Sequence, residues 1–168
     1  MSKHPHPLYK DKNSIQTLRQ GLEEYYALNP NVTDPRKLPP EFAKILLAHD
    51  ISHITYGCDT GMYDELKLLP LTWWTSNYKF HDHLRTIKDP TISPAIRVMY
   101  DDLIEEHGLL WLYSSIFLVL SILLPELIVI WFKTRQRQRY VPFLNFEPLL
   151  DKSLLEIRQE FDLLPLIK

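Results

Sequence analysis

The sequence predicts an all-α, single-domain protein, and three observations carry that expectation. Apolar residues recur at three- and four-residue spacing in several stretches separated by prolines. Glycine is scarce (4) and proline common (13), so turns fall at defined points. Strand-like alternation is absent except at 139–146. At 168 residues the chain is long enough for one domain with a proper core.

The elements follow in order. Residues 1–12 are polar, lack the apolar centre of a secretory signal and are expected to form a flexible tail carrying His4 and His6. The single helical domain then spans 13–168. Ser14 is a candidate cap for a first helix with Ile15, Leu18, Leu22 and Tyr26 on its apolar face, ending at Asn29-Pro30. After an extended linker, Pro39 or Pro40 suits the first turn of a second helix that runs to Tyr56 and stops at Gly57. A short helix holding Glu65 is expected to end before Pro70, and another to cover 72–88. Ser93-Pro94 suits the start of the next. From Gly108 to Pro125 there are eighteen residues without a formal charge, followed by Glu126 and LIVIWF. The fold is expected to contain a buried apolar helix pair able to form a lipid tunnel, and the apolar segment 108–132 is expected as a buried core helix or a helix lining that tunnel, in preference to a membrane anchor, although eighteen residues is at the lower edge of a spanning length. Four basic residues follow within seven positions: Lys133, Arg135, Arg137 and Arg139. They suit a helix C-terminus or anionic lipid headgroups. Residues 148–161 form a last amphipathic stretch, with Leu150, Leu154, Ile157 and Phe161 on one face.

Composition excludes several classes. Lys+Arg (19) nearly balances Asp+Glu (21), so the basic surface of a nucleic-acid-binding protein is missing. No glycine-rich phosphate loop or dinucleotide fingerprint occurs. The single cysteine, Cys58, rules out an intrachain disulfide and reads as a small buried residue.

The chemistry concentrates in the second helix. His49 and His53 are four residues apart, so both imidazoles leave one face a turn apart, flanked by Asp50. Leu47, Ile51 and Ile54 are apolar on the other side, which makes the helix interior. Two imidazoles and a carboxylate in an interior helix need partners, because buried unpaired polar groups are costly. A divalent cation satisfies all of them, and Glu65, twelve residues after His53 across a turn, is placed to return as a fourth ligand. The competing reading is a pair of core histidines bonded to carboxylates or carbonyls. Nitrogen and oxygen donors without thiolate favour Zn, Fe or Mn over Mg. His81-Asp82-His83 and the acidic run from Asp101 to Glu106 read as solvated faces, with the first cluster also able to line the same pocket.

The stretch HDISHITYGCDTGMYDE fits H-D-x-x-H, eleven residues, then E. It resembles the metal-ligand signature of the coenzyme Q (ubiquinone) biosynthesis protein four family, with His49, Asp50, His53 and Glu65 at the ligand positions and Gly57 and Thr60 matching between them. NFEPLLDKSLLEIRQEFDLLPL is similar to that family's C-terminal pattern, matched by Phe146, Glu147, Leu154, Ile157, Arg158 and Glu160. The likeness covers 38–166, with Asp64 where a glycine is usual and a middle that departs. It implies an all-helical protein, often a homodimer, peripheral to a quinone-making membrane on its cytoplasmic or mitochondrial matrix side. It implies a polyprenylated aromatic ligand or prenyl phosphate, and other quinone-biosynthesis proteins as partners. His49, Asp50, His53 and Glu65 would be both metal ligands and the catalytic group, in oxidative decarboxylation at ring carbon one. A non-catalytic lipid-binding scaffold, and a His-Asp metal phosphohydrolase with His107 and Asp102 as further ligands, are the alternatives.

Overall fold

The computed structural model describes residues 6–167. Its order is α1 (Leu18–Leu28), α2 (Pro40–Tyr56), α3 (Met62–Thr75), α4 (Phe80–Lys88), α5 (Ser93–His107), α6 (Leu109–Thr134) and α7 (Leu154–Glu160), joined by loops and single 3-10 turns. Among the described residues there is no strand. The 139–146 stretch contributes only one bridge, Val141 to Ser76.

The cap of α1 lies three residues beyond the expected one. Thr17 and Gln20 form a reciprocal capping box, which Ser14 has no Glu or Gln at the right spacing to make. Ile15 consequently falls outside the helix and is 83% exposed. The next free N–H groups of α1 are met from the far end of the chain, Leu18 donating to Lys152 O and Arg19 to Leu150 O. In return Leu154 and Leu155 donate to Gln16 O and Ser14 O. α2 has the expected bounds. Gly57 sits at φ +67°, a conformation glycine tolerates, and the chain turns back there with Cys58 N–H bonded to His53 O at 2.8 Å.

Two prolines do not end their helices. α3 continues through Pro70 to Thr75, and α6 through Pro125 to Thr134. Burial of Leu68, Pro70, Leu71 and Thr75 outweighs the missing backbone donor in α3. Residues 72–75 therefore belong to α3, and α4 begins only at Phe80, after Asp82 accepts the Lys79 N–H at 2.9 Å. The C-terminal stretch divides into a 3-10 turn at Glu147–Leu149 and α7, which opens on a Ser153–Glu156 capping box and buries Leu154 and Ile157.

Residues 1–5, including His4, lie outside the described residues, while the rest of the expected flexible tail is docked. Leu8–Lys10 makes one 3-10 turn, Tyr9 is buried, and the N–H groups of Leu8 and Tyr9 donate to the Glu24 carboxylate at 2.9 and 3.0 Å. The core centres on Tyr9, Leu18, Ile54, Leu68, Leu154, Ile157 and Leu163.

The apolar segment is corrected in its burial. It forms one helix that is largely exposed, with only Leu112, Leu123, Ile130 and Thr134 buried. The reason is that α3, α5 and the Leu164–Leu166 turn pack along one side and no element covers the other. Among the described residues no lipid tunnel is seen around it. By length and composition, α6 is the one helix among the described residues able to cross a membrane.

Candidate metal centre

The one-turn spacing on α2 carries His49 and His53 to the same face, as the sequence predicts. α3 begins after the 57–61 turn and places Glu65 in its first turn, where the helix N-terminus favours a carboxylate. Asp64 secures the turn by accepting the Asp59 N–H at 2.7 Å. Glu65 Oε2 then lies 3.3 Å from His49 Nε2, and Oε1 lies 3.2 Å from His53 Nε2. The two Nε2 atoms are 3.1 Å apart.

This triangle fits a bound cation better than a hydrogen-bonded cluster. Each Nε2 carries at most one proton and the carboxylate carries none, so the protons cannot satisfy three mutual contacts at once. Were both nitrogens protonated, their N–H groups would oppose each other. Lone pairs aimed at one ion remove the conflict. A tetrahedral ion with ligand bonds near 2.05 Å separates its ligand atoms by roughly 3.3–3.4 Å, close to the separations seen here. Among the described residues, His49, His53 and Glu65 are the one His, Cys, Asp and Glu group able to hold an ion.

Asp50, expected as one of the four ligands, does not join that group. It is buried, and its Oδ2 accepts the Tyr26 hydroxyl at 2.7 Å. Directly after His49, it stands about 100° round α2 from that residue and reaches Tyr26 of α1. It thus acts beside the ligands and not among them.

Electrostatics bind the group together. Burial opposes ionisation of Glu65, but hydrogen bonding to His49 and His53 holds its carboxyl down at about 2. Burial also works against charging His49, and the Glu65 carboxylate more than offsets it, so that imidazole is shifted upward. Burial pushes Asp50 up to about 6, against the Tyr26 hydrogen bond. His53 is fully enclosed, and its Nδ1 makes no hydrogen bond to the described residues. Its ring is oriented by packing, stacked on Tyr25 at 5.4 Å with 25° between planes.

Next to the triangle lies an apolar cavity of about 230 Å³ between α2, α3, α4 and α5. Phe42, Ile45, Trp73 and Ile96 contribute its walls, with His49 and His83 as polar members. The His81 to His83 run therefore divides. His81 is exposed and pairs with Asp82, while His83 faces inward beside Trp73. The acidic side chains at 101, 102, 105 and 106 are exposed, as expected of a solvated face. Cys58 is buried, with burial pushing its thiol up to about 12, and it is not a ligand.

The structure adds residues that sequence reasoning missed. Tyr25 and Tyr26 support His53 and Asp50. Arg158 is fully buried and donates to Ile54 O at 2.9 Å and Thr55 O at 3.0 Å, the last turn of α2. It also donates to Tyr9, Asp11 and Lys12 carbonyls. Only the recurrence of Arg158 in the C-terminal pattern signalled a role, and it did not indicate the partner.

Compared with protein-family models, curated proteins and solved structures, the chain shows no significant match in any of the three. The structure's contribution is an all-α fold with a His49, His53, Glu65 group able to hold a metal ion.

Proposed function

We propose that this chain is a metal-dependent protein that binds a prenyl-type lipid in ubiquinone or related prenylquinone biosynthesis. The observation that carries the proposal is the double position of His49, which belongs both to the metal group and to the wall of the apolar cavity. An apolar ligand in that cavity would lie against the ion. Because a cavity of about 150 Å³ accommodates benzene, one of 230 Å³ takes an aromatic head with its substituents but not a long tail. The tail must leave the cavity.

Three protein ligands leave coordination positions open, which suits catalysis better than a closed structural site. A bound ion would activate water or oxygen, or polarise an acid group on the head. On this reading the reaction is oxidative decarboxylation at ring carbon one of a polyprenylated aromatic acid, and the partners are other enzymes of the same route. The phosphohydrolase alternative needs His and Asp ligands from further helices. Among the described residues, neither Asp102 nor His107 of α5 joins the group.

Elemental analysis of the purified protein tests the site, and mass spectrometry of an organic extract tests the ligand. Near-stoichiometric metal, lost in His53→Ala and Glu65→Ala, together with a co-purified prenylated aromatic lipid, is the expected result. Metal without lipid would remove the quinone assignment. Lipid without turnover in the metal-loaded protein would leave a scaffold.

A further inference from the structure

The outer face of α6 is unlike the rest of the surface. Counting 100° per residue, its exposed positions cover more than half the circumference. Leu110 is 88% exposed and Phe117 76%, and Leu124, Ile128 and Phe132 continue the same line to the end of the helix. A contiguous apolar face of this length on a soluble surface calls for a covering partner.

The chemistry of that face identifies the partner. Two polar side chains on it, Ser114 and Ser121, donate back to Leu110 O at 2.6 Å and Phe117 O at 2.8 Å. Their hydroxyls therefore need no water. The formal charges of α6 are Glu126 and Lys133, and both reach toward the protein. Glu126 pairs with Lys67 of α3 at 3.3 Å and accepts from Tyr63 at 2.6 Å, while Lys133 donates to Pro165 O at 2.9 Å. Beyond the helix end, Arg135 and Arg139 are exposed. Trp111 and Tyr113 near one end and Trp131 near the other are exposed amphipathic aromatics of the kind found at the membrane interface.

We propose that α6 lies in the plane of a bilayer surface, its outer face sunk into the acyl chains of one leaflet and Arg135 and Arg139 at anionic headgroups. The packing favours this placement over spanning. The C-terminal half is fixed to α3 through Glu126 and Lys67, and within 109–122 only Leu112 is buried. At 1.5 Å per residue that length is roughly 21 Å, short of a hydrocarbon core of about 30 Å. The proposal does not depend on the metal, though it supplies the membrane setting for the function proposed above.

The test is flotation of the full-length protein with phosphatidylcholine vesicles, with and without phosphatidylglycerol. The wild type should float, more strongly with the anionic lipid. Phe117→Asp should lower partitioning about tenfold or more, since it places a charge among acyl chains. Phe117 is solvent-facing, so the helix content and metal content of this variant should match the wild type. The double variant Arg135→Glu and Arg139→Glu should lose the anionic preference while retaining binding to phosphatidylcholine. His53→Ala should float normally, which separates failure of this proposal from failure of the metal reading. Absence of flotation, or equal flotation of Phe117→Asp, overturns the proposal. So does a wild-type dimer in solution that Phe117→Asp converts to monomer, because a second copy would then cover the face.

Discussion

Tyr26 of α1 donates its hydroxyl to Oδ2 of Asp50 on α2 at 2.7 Å, a bond that holds the aspartate beside the His49, His53 and Glu65 triangle and outside it. The ligand variants should therefore separate. His49→Ala, His53→Ala and Glu65→Ala should each abolish metal retention, whereas Asp50→Asn should keep the metal with affinity lowered about 10–100-fold, the usual effect of changing a neighbour of the ligands. Equilibrium dialysis against a metal buffer measures this. Complete loss in Asp50→Asn would make it a direct ligand.

Burial of the same carboxyl sets a pH dependence in the metal-free protein. Asp50 titrates at about 6 in the fold, above its ordinary 3.8, so the fold favours its neutral form. That contribution is fully present below the ordinary value and is lost as pH rises through about 6. Denaturant midpoints of the apo protein should fall across this window, with a smaller fall in Asp50→Asn. An identical profile for both proteins would remove Asp50 as the cause.

Arg158 should be among the most sensitive positions in the chain. Its guanidinium satisfies carbonyls at the end of α2 and in the N-terminal turn. Arg158→Met should cost about 3 kcal/mol or more, since buried acceptors lose a charged donor. Urea denaturation reads this directly, and a loss below about 1 kcal/mol would mean that water replaces the guanidinium without penalty.

Gly21 is required by close approach. A Cβ there would stand 2.7 Å from Ile54 Cγ2, and Ile54 is fully buried. Gly21→Ala should destabilise by about 1–3 kcal/mol through overpacking between α1 and α2. Pairing it with Ile54→Leu, which moves the branch from Cβ to Cγ and so removes the Cγ2 methyl, should recover part of the loss if the contact is the cause.

Lys67 and Glu126 form the polar fastening between α3 and α6. Either single change, Lys67→Met or Glu126→Leu, should cost about 3 kcal/mol, while the double change should cost much less, because a half-buried charge without its partner is worse than none. Thermal melts of the four proteins complete the cycle, and additive losses would show that the pair does not couple.

Much of α2 was legible because its features are local. Helical geometry converts the four-residue spacing of His49 and His53 into a shared face, and a proline start and glycine stop bound the helix. The direction of Asp50 was not legible, since it depends on a tyrosine brought from α1. The docked N-terminal turn escaped for the same reason, being fixed by Glu24 and Arg158 from distant segments. Pro70 and Pro125 misled because tertiary burial overrides a local helix penalty. The exposure of α6 could not be read from its composition, which buried and lipid-facing helices share.

The guanidinium that closes α2 comes from 104 residues downstream of Ile54. Loop closure over that separation makes it a late event in folding. A truncation that removes α7 is therefore expected to keep His49, His53 and Glu65 while leaving the last turn of α2 without its guanidinium, and so to hold an ion less tightly than the full chain.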